Sequence, residues 1–487
     1  MNYYIGLDLG TSGVKGVLFD KSGKIYKSHL EEYDIISIKD GYAEEDPNIW
    51  FNKTLEVLKK LSEFEFKDNI LGIGISGQMH GLVLLDKDDN LLRNSIIWCD
   101  NRTKAEADLI ENVVGKDKLI DITGNISMAS FTLAKLLWVK RNEPDIYKKI
   151  SKVMLPKDYI SYKLTGNFLS EYSDISGTQF LDINKLEYSK ELFDKLDIDI
   201  NILPKLIKSY DSRGYLLDKY KKLLGINCNL CGGGGDQACG ALGSGVINST
   251  DVSIVLGSSG VVYTPVDNIL KLNGEVQLFL TCEYKKYHIM GVTNGCGTSL
   301  KWVRDNLFNL DYNTLSNMAS EINVGANNLI YLPYLMGERT PILDNDSKGV
   351  FFGIKNTTTK AELIRSVMEG VGYSIKDVFS LIDNKEKIFI SGGGANSLLY
   401  RQIISSMINK EVIRIDSPES PSLGAAILAM VLNKEYNNIE EAIKNIIKIK
   451  DVTKPIKEWV DYYNKGYKVY KKIYNNTKEI FKELKEL

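Results

Sequence analysis

A short pattern of glycine and hydroxyl residues occurs twice in this chain, about half a chain length apart. Residues 9–14 read Leu-Gly-Thr-Ser-Gly-Val, and residues 256–261 read Leu-Gly-Ser-Ser-Gly-Val. Each copy follows an apolar run typical of a buried strand, so each predicts a strand–turn–strand hairpin. A repeat with this period indicates two homologous domains. We place them at 1–245 and 246–487, because Gly, Asn and Ser cluster between these ranges.

The segments between and after the hairpins show two kinds of periodicity. Residues 70–75 and 82–85 are short apolar runs typical of strands, whereas 50–61 and 132–141 have apolar residues at helical spacing. This alternation predicts α/β layers in both halves. The final stretch, 456–487, is rich in Lys, Tyr and Glu and predicts an amphipathic helix with a solvated face.

Length and charge limit the classes of protein that fit the chain. Its 487 residues, of which 44% are hydrophobic and 25% charged, suit two or three globular domains. The net charge of -2 gives no reason to expect a nucleic acid or an anionic membrane as partner. We see no signal peptide and no apolar run of about 18 residues, so we expect a cytoplasmic protein. Whether it forms a homodimer is left open.

Six cysteines occur in the chain, and two of them, Cys228 and Cys231, form a Cys-x-x-Cys pair. A zinc or redox site is one interpretation, but it would need a second pair of ligands, and the three histidines all lie elsewhere in the sequence. Reduced thiols that pack in the core are the favoured interpretation. The sequence does not decide what role these two residues have.

Three glycine-rich turns suit the binding of phosphate groups. The turn at 10–13 offers backbone N–H groups and two hydroxyls, although the same residues also make a good hairpin turn. The copy at 257–260 strengthens the phosphate interpretation, because two facing hairpins can hold a polyphosphate between two domains. Residues 388–395 predict a strand that ends in a glycine run before a helix, which suits close approach of a ligand. The sequence contains no GxxxxGK[ST] P-loop.

Four consecutive glycines, at 232–235, precede Asp236. Fixing four glycines is costly in conformational entropy, which indicates that the backbone passes close to another group there. Asp236 is then expected at a strand-to-helix turn, at the mouth of a cleft. It could cap the helix, or accept the proton of a hydroxyl during phosphoryl transfer. The two roles are compatible.

Several ordered motifs together resemble the FGGY family of carbohydrate kinases. They lie at residues 8–13 (Asp-Leu-Gly-Thr-Ser-Gly), 77–81 (Gly-Gln-Met-His-Gly), 130–138, 234–236 (Gly-Gly-Asp) and 349–369. The resemblance covers roughly residues 1–445. Within the family, the run 77–81 and the segments 155–159 and 332–341 are similar to the members that phosphorylate D-xylulose.

The resemblance implies an enzyme that uses ATP and Mg²⁺ to phosphorylate D-xylulose at O5, which gives D-xylulose 5-phosphate and ADP. It also implies two ribonuclease-H-like domains of the actin-like ATPase type, with a catalytic cleft between them. The sugar would bind mainly to the N-terminal domain and ATP mainly to the C-terminal one. Closure of the cleft would exclude water and limit wasteful hydrolysis of ATP.

The resemblance also assigns roles to the residues that match the family's motifs. Asp236 matches the general base, and Asp8 matches the carboxylate near the metal, where it would act on Mg²⁺ through water. The matching sugar-binding positions are Gln78, Met79, His80, Asp100 and Arg102. The matching ATP-binding positions are Gly10, Thr11, Ser12, Lys15, Gly257, Ser258, Gly297, Gly393, Gly394 and Asn396. Ser258 replaces a threonine that is usual in the family but keeps the hydroxyl, and Asp100 and Arg102 could instead pair with each other.

Three other functions compete with this one. The chain could phosphorylate another sugar or polyol, such as ribulose, gluconate or fuculose. It could be an actin-like ATPase that serves as a chaperone or filament subunit, against which the sugar-type run 77–81 and the glycines before Asp236 argue. It could be a former kinase that senses sugar, which the presence of both Asp8 and Asp236 makes a poor fit. The sequence alone does not fix the sugar.

Overall fold

The computed structural model describes residues 1–270, 272–382, 385–416 and 419–487. Two sheets of seven strands dominate it, and each contains one of the predicted glycine-turn hairpins. In the first hairpin Tyr3–Leu9 pairs antiparallel with Gly13–Asp20, and in the second Asp251–Leu256 pairs antiparallel with Gly260–Val266. The predicted α/β architecture with two related halves is confirmed.

The two sheets have the same arrangement at their centres. In each, the first strand of the hairpin pairs in parallel with a strand from later in the chain: Tyr3–Leu9 with Ile70–Gly77, and Asp251–Leu256 with Lys387–Ser391. In spatial order the first sheet contains Ser212–Tyr215, Asn229–Cys231, Ile70–Gly77, Tyr3–Leu9, Gly13–Asp20 and Ile25–Glu32, with Gly234–Gly235 also paired to Ile70–Gly77. The second contains Gln277–Leu280, Tyr287–Thr293, Gly260–Val266, Asp251–Leu256, Lys387–Ser391, Val412–Ile415 and Ile449–Thr453.

Helices and short strand pairs cover these sheets. In the first half the α-helices are Pro47–Ser62, Lys104–Val114, Lys116–Thr123, Thr132–Asn142, Pro144–Tyr147, Pro156–Thr165, Tyr172–Ile175, Lys190–Lys195, Asp218–Leu224 and Asp236–Gly243. In the second half they are Gly297–Trp302, Tyr312–Ser320, Lys360–Phe379, Leu398–Ile408, Ser420–Leu432, Ile439–Ile446 and Lys457–Glu486. The short strands are Glu44–Glu45, Val83–Leu85, Ser95–Ile96, Lys152–Met154, Leu169–Glu171, Leu181–Asp182, Glu187–Tyr188, Lys205–Ile207, Ile330–Leu332 and Val350–Phe352.

The C-terminal helix, Lys457–Glu486, follows the amphipathic pattern that the sequence predicts. Tyr463 and Tyr470 are fully buried in the core of the second half, while most of the lysines face solvent. The Tyr470 hydroxyl lies 2.7 Å from that of Tyr334, which anchors the helix to the segment after strand Ile330–Leu332. The helix is therefore part of the second core and not a free tail.

One helix of the second half of the sequence packs on the first sheet. A Cβ atom at Gly6 would lie 1.8 Å from the Ser422 carbonyl oxygen of helix Ser420–Leu432, and one at Gly74 would lie 1.9 Å from that of Ala425. Only glycine allows so close an approach of helix and strand. The predicted domain boundary at 245/246 stays a prediction, and it separates chain segments that share a core.

The cysteines are free thiols in this fold, and all but Cys99 are buried. Burial raises the pKa of Cys228 and Cys231 to about 12, so both thiols stay protonated at neutral pH. Among the described residues no group of three or more His, Cys, Asp or Glu side chains is placed to hold a metal ion. Nor does any described helix combine the length and apolar character that crossing a membrane requires.

Candidate active site

The carboxyl ends of three neighbouring strands meet at one edge of the first sheet. Tyr3–Leu9 pairs in parallel with Ile70–Gly77 along its whole length, and Gly234–Gly235 pairs in parallel with its last two residues, Ser76 and Gly77. Asp8 lies at the end of the first of these strands, and Asp236 directly follows another. Because ligands of open α/β sheets bind at the carboxyl ends of parallel strands, this edge is the expected place for a site.

Asp236 is the first residue of helix Asp236–Gly243, and it is partly buried. The capping position before the helix is occupied by Gly235, so the prediction that Asp236 itself caps the helix is wrong. Its carboxylate accepts a hydrogen bond from the Gln237 amide at 2.7 Å. Burial, and then the charge of Asp8, raise the pKa of Asp236 to about 7. A carboxyl group with this pKa can gain and lose a proton near neutral pH.

The glycines before Asp236 are explained by what surrounds them. Gly233 has a φ of +74°, and a Cβ atom there would lie 2.1 Å from the Ile75 carbonyl oxygen. At Gly235 a Cβ atom would lie 3.0 Å from the Met79 side chain. The run therefore passes tightly between the central strand and the segment 77–81, and this contact fixes where Asp236 lies.

Asp8 faces the same region from the neighbouring strand. Its Oδ1 accepts a hydrogen bond from the Ser76 hydroxyl at 2.9 Å, and its Oδ2 has no hydrogen-bond partner among the described residues. Burial raises the pKa of Asp8, although the Ser76 hydrogen bond opposes the rise. One carboxylate oxygen is thus left for a ligand. That arrangement fits Mg²⁺, which proteins bind through one or two carboxylates while it keeps water and substrate phosphates as its other ligands.

Gln78 belongs to a buried polar group that the sequence did not reveal. Its side-chain amide donates to Glu45 Oε2 at 2.8 Å, and the Trp50 indole N–H donates to the same oxygen at 2.6 Å. Burial raises the pKa of Glu45 to about 7. The Oε1 atoms of Gln78 and Glu45 are buried with no hydrogen-bond partner in the described part of the chain. Buried acceptors without partners are costly, so both are suited to a polar ligand.

His80 has a backbone φ of +67° and lies between aromatic rings. Its ring centre is 5.1 Å from that of Phe131 and 5.9 Å from that of Phe279. Burial lowers the pKa of His80 to about 3, so the imidazole is neutral. Its Nδ1 lies 2.7 Å from the Gly177 carbonyl oxygen, which can only accept. Nδ1 must therefore carry the hydrogen, which leaves Nε2 as an acceptor for a ligand hydroxyl.

The pattern at 130–138 holds the backbone of His80 in this conformation. The Thr132 hydroxyl and the Lys135 ammonium group both donate to the His80 carbonyl oxygen, at 3.1 and 2.7 Å. Lys135 is fully buried, and burial lowers its pKa to about 7. Met79, beside His80, packs with Phe131 in an apolar cluster. Two of the predicted sugar-binding residues, Met79 and His80, thus lie beside Phe131.

Asp100 and Arg102 pair with each other, which is the second of the two alternatives that the sequence left open. Arg102 Nε and one terminal nitrogen donate to the Asp100 carboxylate at 2.7–3.0 Å, and both side chains are buried. The Arg102 guanidinium also donates to Glu44 at 2.7 Å and lies 3.8 Å from the Tyr42 ring centre. With these contacts the pair supports the segment before Glu45, and its predicted role in sugar binding remains a prediction.

The second half contains a cavity of about 820 Å³. Val255 pairs with Ser391, so the second hairpin lies beside the glycine run at 392–394. The Gly297 amide donates to the Gly257 carbonyl oxygen at 2.9 Å, which joins the start of helix Gly297–Trp302 to the hairpin turn. The six predicted ATP-binding residues of this half all line the cavity: Gly257, Ser258, Gly297, Gly393, Gly394 and Asn396. Tyr312, Tyr400 and Trp459 line it too, and the sequence did not point to them.

The four predicted ATP-binding residues of the first hairpin are Gly10, Thr11, Ser12 and Lys15, and they lie on the other sheet. The turn is closed by a 2.9 Å hydrogen bond from the Gly10 amide to the Gly13 carbonyl oxygen. The Trp98 indole N–H donates to the Thr11 hydroxyl at 2.9 Å. Lys15 makes a 2.6 Å ion pair with Glu419 of the second half. The first hairpin therefore lies apart from the lining of the 820 Å³ cavity and on the side of Asp8.

Comparison with known proteins identifies the family. Models of the N- and C-terminal domains of the FGGY family of carbohydrate kinases match residues 3–243 and 252–432. The chain belongs to this family. It is therefore a carbohydrate kinase, a phosphotransferase whose substrates are ATP and a sugar.

Individual relatives extend this similarity over the whole length. The chain is 38% identical over 485 residues to a xylulose kinase of Staphylococcus xylosus. The aligned region covers 98% of this chain and 100% of that relative. A ligand-bound xylulose kinase of Lactobacillus acidophilus has a TM-score of 0.94 at 30% identity and covers 99% of this chain and 100% of that one. A gluconate kinase of the same organism has a TM-score of 0.93 at 30% identity, with 99% of both chains covered. Relatives with two different sugar substrates are thus similar to this chain.

Proposed function

We propose that this kinase phosphorylates D-xylulose at O5, with Asp236 as the general base. The observation that carries the proposal is the Asp236 carboxyl group, which has a pKa of about 7 and lies next to the sugar-binding segment 78–80. The choice of D-xylulose is supported by the full-length relative from Staphylococcus xylosus, which is a xylulose kinase. It is also supported by the similarity of the segments 77–81, 155–159 and 332–341 to xylulose-phosphorylating members of the family.

In this proposal the sugar lies on residues 78–80 with its O5 hydroxyl directed to Asp236. The neutral imidazole of His80 accepts a hydrogen bond from a hydroxyl near the carbonyl end, through Nε2. Asp236 takes the proton of the O5 hydroxyl as the oxygen bonds to the γ-phosphorus of ATP. The bond between that phosphorus and the β–γ bridging oxygen breaks, and ADP leaves. The step needs a carboxylate base, for which Asp236 is proposed, and donors for the phosphates, for which the two hairpin turns are proposed.

The nucleotide is proposed to bind in the 820 Å³ cavity, with its phosphates directed to the two hairpin turns. Asp8 would bind Mg²⁺ through water, using the carboxylate oxygen that Ser76 leaves free. When bound, the metal ion neutralises charge on the phosphate oxygens. Lys15, Thr11 and Ser12 are proposed to contact the phosphates from the first hairpin. For Lys15 this contact competes with the ion pair to Glu419.

Gluconate is the second candidate substrate, because a gluconate kinase has nearly the same TM-score as the xylulose kinase from the same organism. A panel of D-xylulose, D-ribulose, L-ribulose, gluconate, L-fuculose and glycerol, assayed for sugar-dependent release of ADP, separates the candidates. We expect D-xylulose to have the highest kcat/KM, since buried polar groups left unpaired by a wrong sugar can cost as much as ~10⁴-fold. A clear preference for gluconate or ribulose would refute the choice of sugar and leave the general base untouched.

The use of ATP as phosphoryl donor also supports our proposal that the protein works in the cytoplasm. A homodimer is a further prediction, which size-exclusion chromatography with light scattering would test directly.

A further inference from the structure

Arg339 belongs to a turn of the second half whose backbone is firmly held. The buried carboxylate of Glu338 accepts hydrogen bonds from the Asn294 amide at 2.8 Å and the Arg339 amide at 2.7 Å. On the other side, the Thr340 amide donates to the Val292 carbonyl oxygen at 3.0 Å. Because these hydrogen bonds hold the backbone on both sides of Arg339, the position of its Cα atom is fixed.

This turn lies directly behind the sugar-binding segment of the first half. Val292 packs in the same apolar cluster as Met79 and Phe131, and the Phe131 ring is 5.1 Å from that of His80. The charge of Arg339 is close enough to contribute to lowering the pKa of His80. It also interacts electrostatically with Cys99, which lies between Trp98 and Asp100 in the first half. The guanidinium group is therefore close to the segment 78–80 of the first half.

Arg339 is partly buried, yet within the described residues its guanidinium group has no hydrogen-bond acceptor and no ion pair. Five other buried or partly buried arginines do have such partners: Arg93, Arg102, Arg213, Arg365 and Arg401. Burial lowers the pKa of Arg339. With no acceptor among the described residues, its nitrogens therefore remain free to donate hydrogen bonds to a ligand.

We propose that Arg339 is a sugar-binding residue that reaches across the cleft and donates hydrogen bonds to hydroxyl oxygens of the sugar held on residues 78–80. The inference rests on the proposed function and adds a residue to it. The sugar is favoured over the nucleotide as the ligand because the groups near Arg339 are His80 and Cys99. Arg339 is also not among the described residues that line the 820 Å³ cavity. Sugar bound in this way contacts both halves at once.

The test compares Arg339→Met, and Arg339→Ala for chemical rescue, with Arg141→Met. Arg141 is a matched control because it is half exposed and pairs with Glu106 at 2.6 Å, away from the cleft. Steady-state assays give KM for D-xylulose, KM for ATP and kcat, and calorimetry gives the Kd of the sugar without nucleotide. In Arg339→Met we expect the sugar KM and Kd to rise about 10- to 100-fold, the range for lost hydrogen bonds to a charged group. The ATP KM and the hydrolysis of ATP without sugar should change less than about twofold.

Rescue and fold controls make the result decisive. Millimolar guanidinium ion should restore part of the sugar affinity of Arg339→Ala, because the ion can occupy the space of the missing group. A lower kcat with an unchanged sugar KM would overturn the inference, since it would indicate a contact to the transferred phosphoryl group. Wild-type turnover of D-xylulose is measured in the same experiment. If the wild type phosphorylates D-xylulose but Arg339→Met keeps its sugar KM, only this inference fails; if the wild type does not, the proposed function fails.

Discussion

Replacing Asp236 with asparagine tests the proposed chemistry most directly. Asparagine has the same size and can still accept the hydrogen bond from the Gln237 amide, but it cannot take a proton from a sugar hydroxyl. We expect kcat to fall by about 10²–10⁴-fold, the usual contribution of a positioned general base. The KM for ATP should change little, because Asp236 is not among the described residues that line the 820 Å³ cavity proposed for ATP.

The raised pKa also predicts how the same substitution changes stability. The pKa of Asp236 rises from an ordinary value of 3.8 to about 7, so the folded protein holds this proton more tightly than the unfolded chain does. The resulting stabilisation is complete below about pH 4 and is lost as the pH rises towards 7. Three pKa units correspond to about 4 kcal/mol, and partial contact with solvent reduces this to about 1–2 kcal/mol. At pH 8 Asp236→Asn should therefore be more stable than the wild type by about that amount.

Coupled ADP-release assays and urea unfolding between pH 5 and pH 8 check both effects. For the wild type, kcat/KM should rise with pH and reach half its maximum near pH 7, because the base must be deprotonated to act. Asp377→Asn is a matched control, since burial also raises the pKa of Asp377 but its hydroxyl partner, Tyr467, lies on the C-terminal helix. Near-normal turnover in a folded Asp236→Asn variant would refute the assignment of the general base.

Three further predictions concern the nucleotide, the sugar and the cleft. A Cβ atom at Gly393 would meet no atom within 4 Å, so Gly393→Ala should unfold like the wild type yet raise the ATP KM about tenfold; an unchanged KM would contradict nucleotide binding at this glycine run. His80→Asn, chosen because asparagine tolerates the φ of +67°, should lower kcat/KM for D-xylulose about 100-fold and leave ATP hydrolysis without sugar nearly unchanged. Equal losses in both activities would argue against a sugar contact. Small-angle scattering should show a smaller radius of gyration with an ATP analogue plus D-xylulose, and no change would count against closure.

The parts of the fold that the sequence predicts are those specified by local signals. The two hairpins follow from glycine turns between apolar runs, and both occur where the pattern predicts them. Asp236 stands out because four glycines precede it, and contacts of those glycines with residues 75 and 79 show why the run is needed. In each case a few adjacent residues carry the whole signal, so no long-range information is required.

The sequence missed residues whose role depends on contacts between distant segments. Glu45 belongs to the run Glu44-Glu45-Asp46, which in sequence looks like the acidic start of helix Pro47–Ser62. Only pairing with Gln78, 33 positions later, brings its carboxylate under the site. Tyr312 and Trp459, which line the 820 Å³ cavity, likewise come from helices far apart in sequence. For Asp100 and Arg102 the sequence allowed two roles, because their spacing suits both pairing with each other and binding a sugar. The structure shows that the two side chains pair, and their role in sugar binding remains a prediction.

The helix Ser420–Leu432 shows why even a strongly apolar segment does not reveal its own position. Its sequence is apolar on nearly all sides, which predicts burial but names no partner. The surface on which this helix packs is determined by isolated glycines elsewhere in the chain. They are Gly6 and Gly74 on the first sheet, and Gly243, where a Cβ atom would lie 1.9 Å from the Ser420 carbonyl oxygen. In the sequence each of these glycines indicates a close backbone contact, but none of them identifies the segment that makes the contact. Because Gly243 ends the helix that begins at Asp236, the same packing joins the proposed base to the second half of the chain.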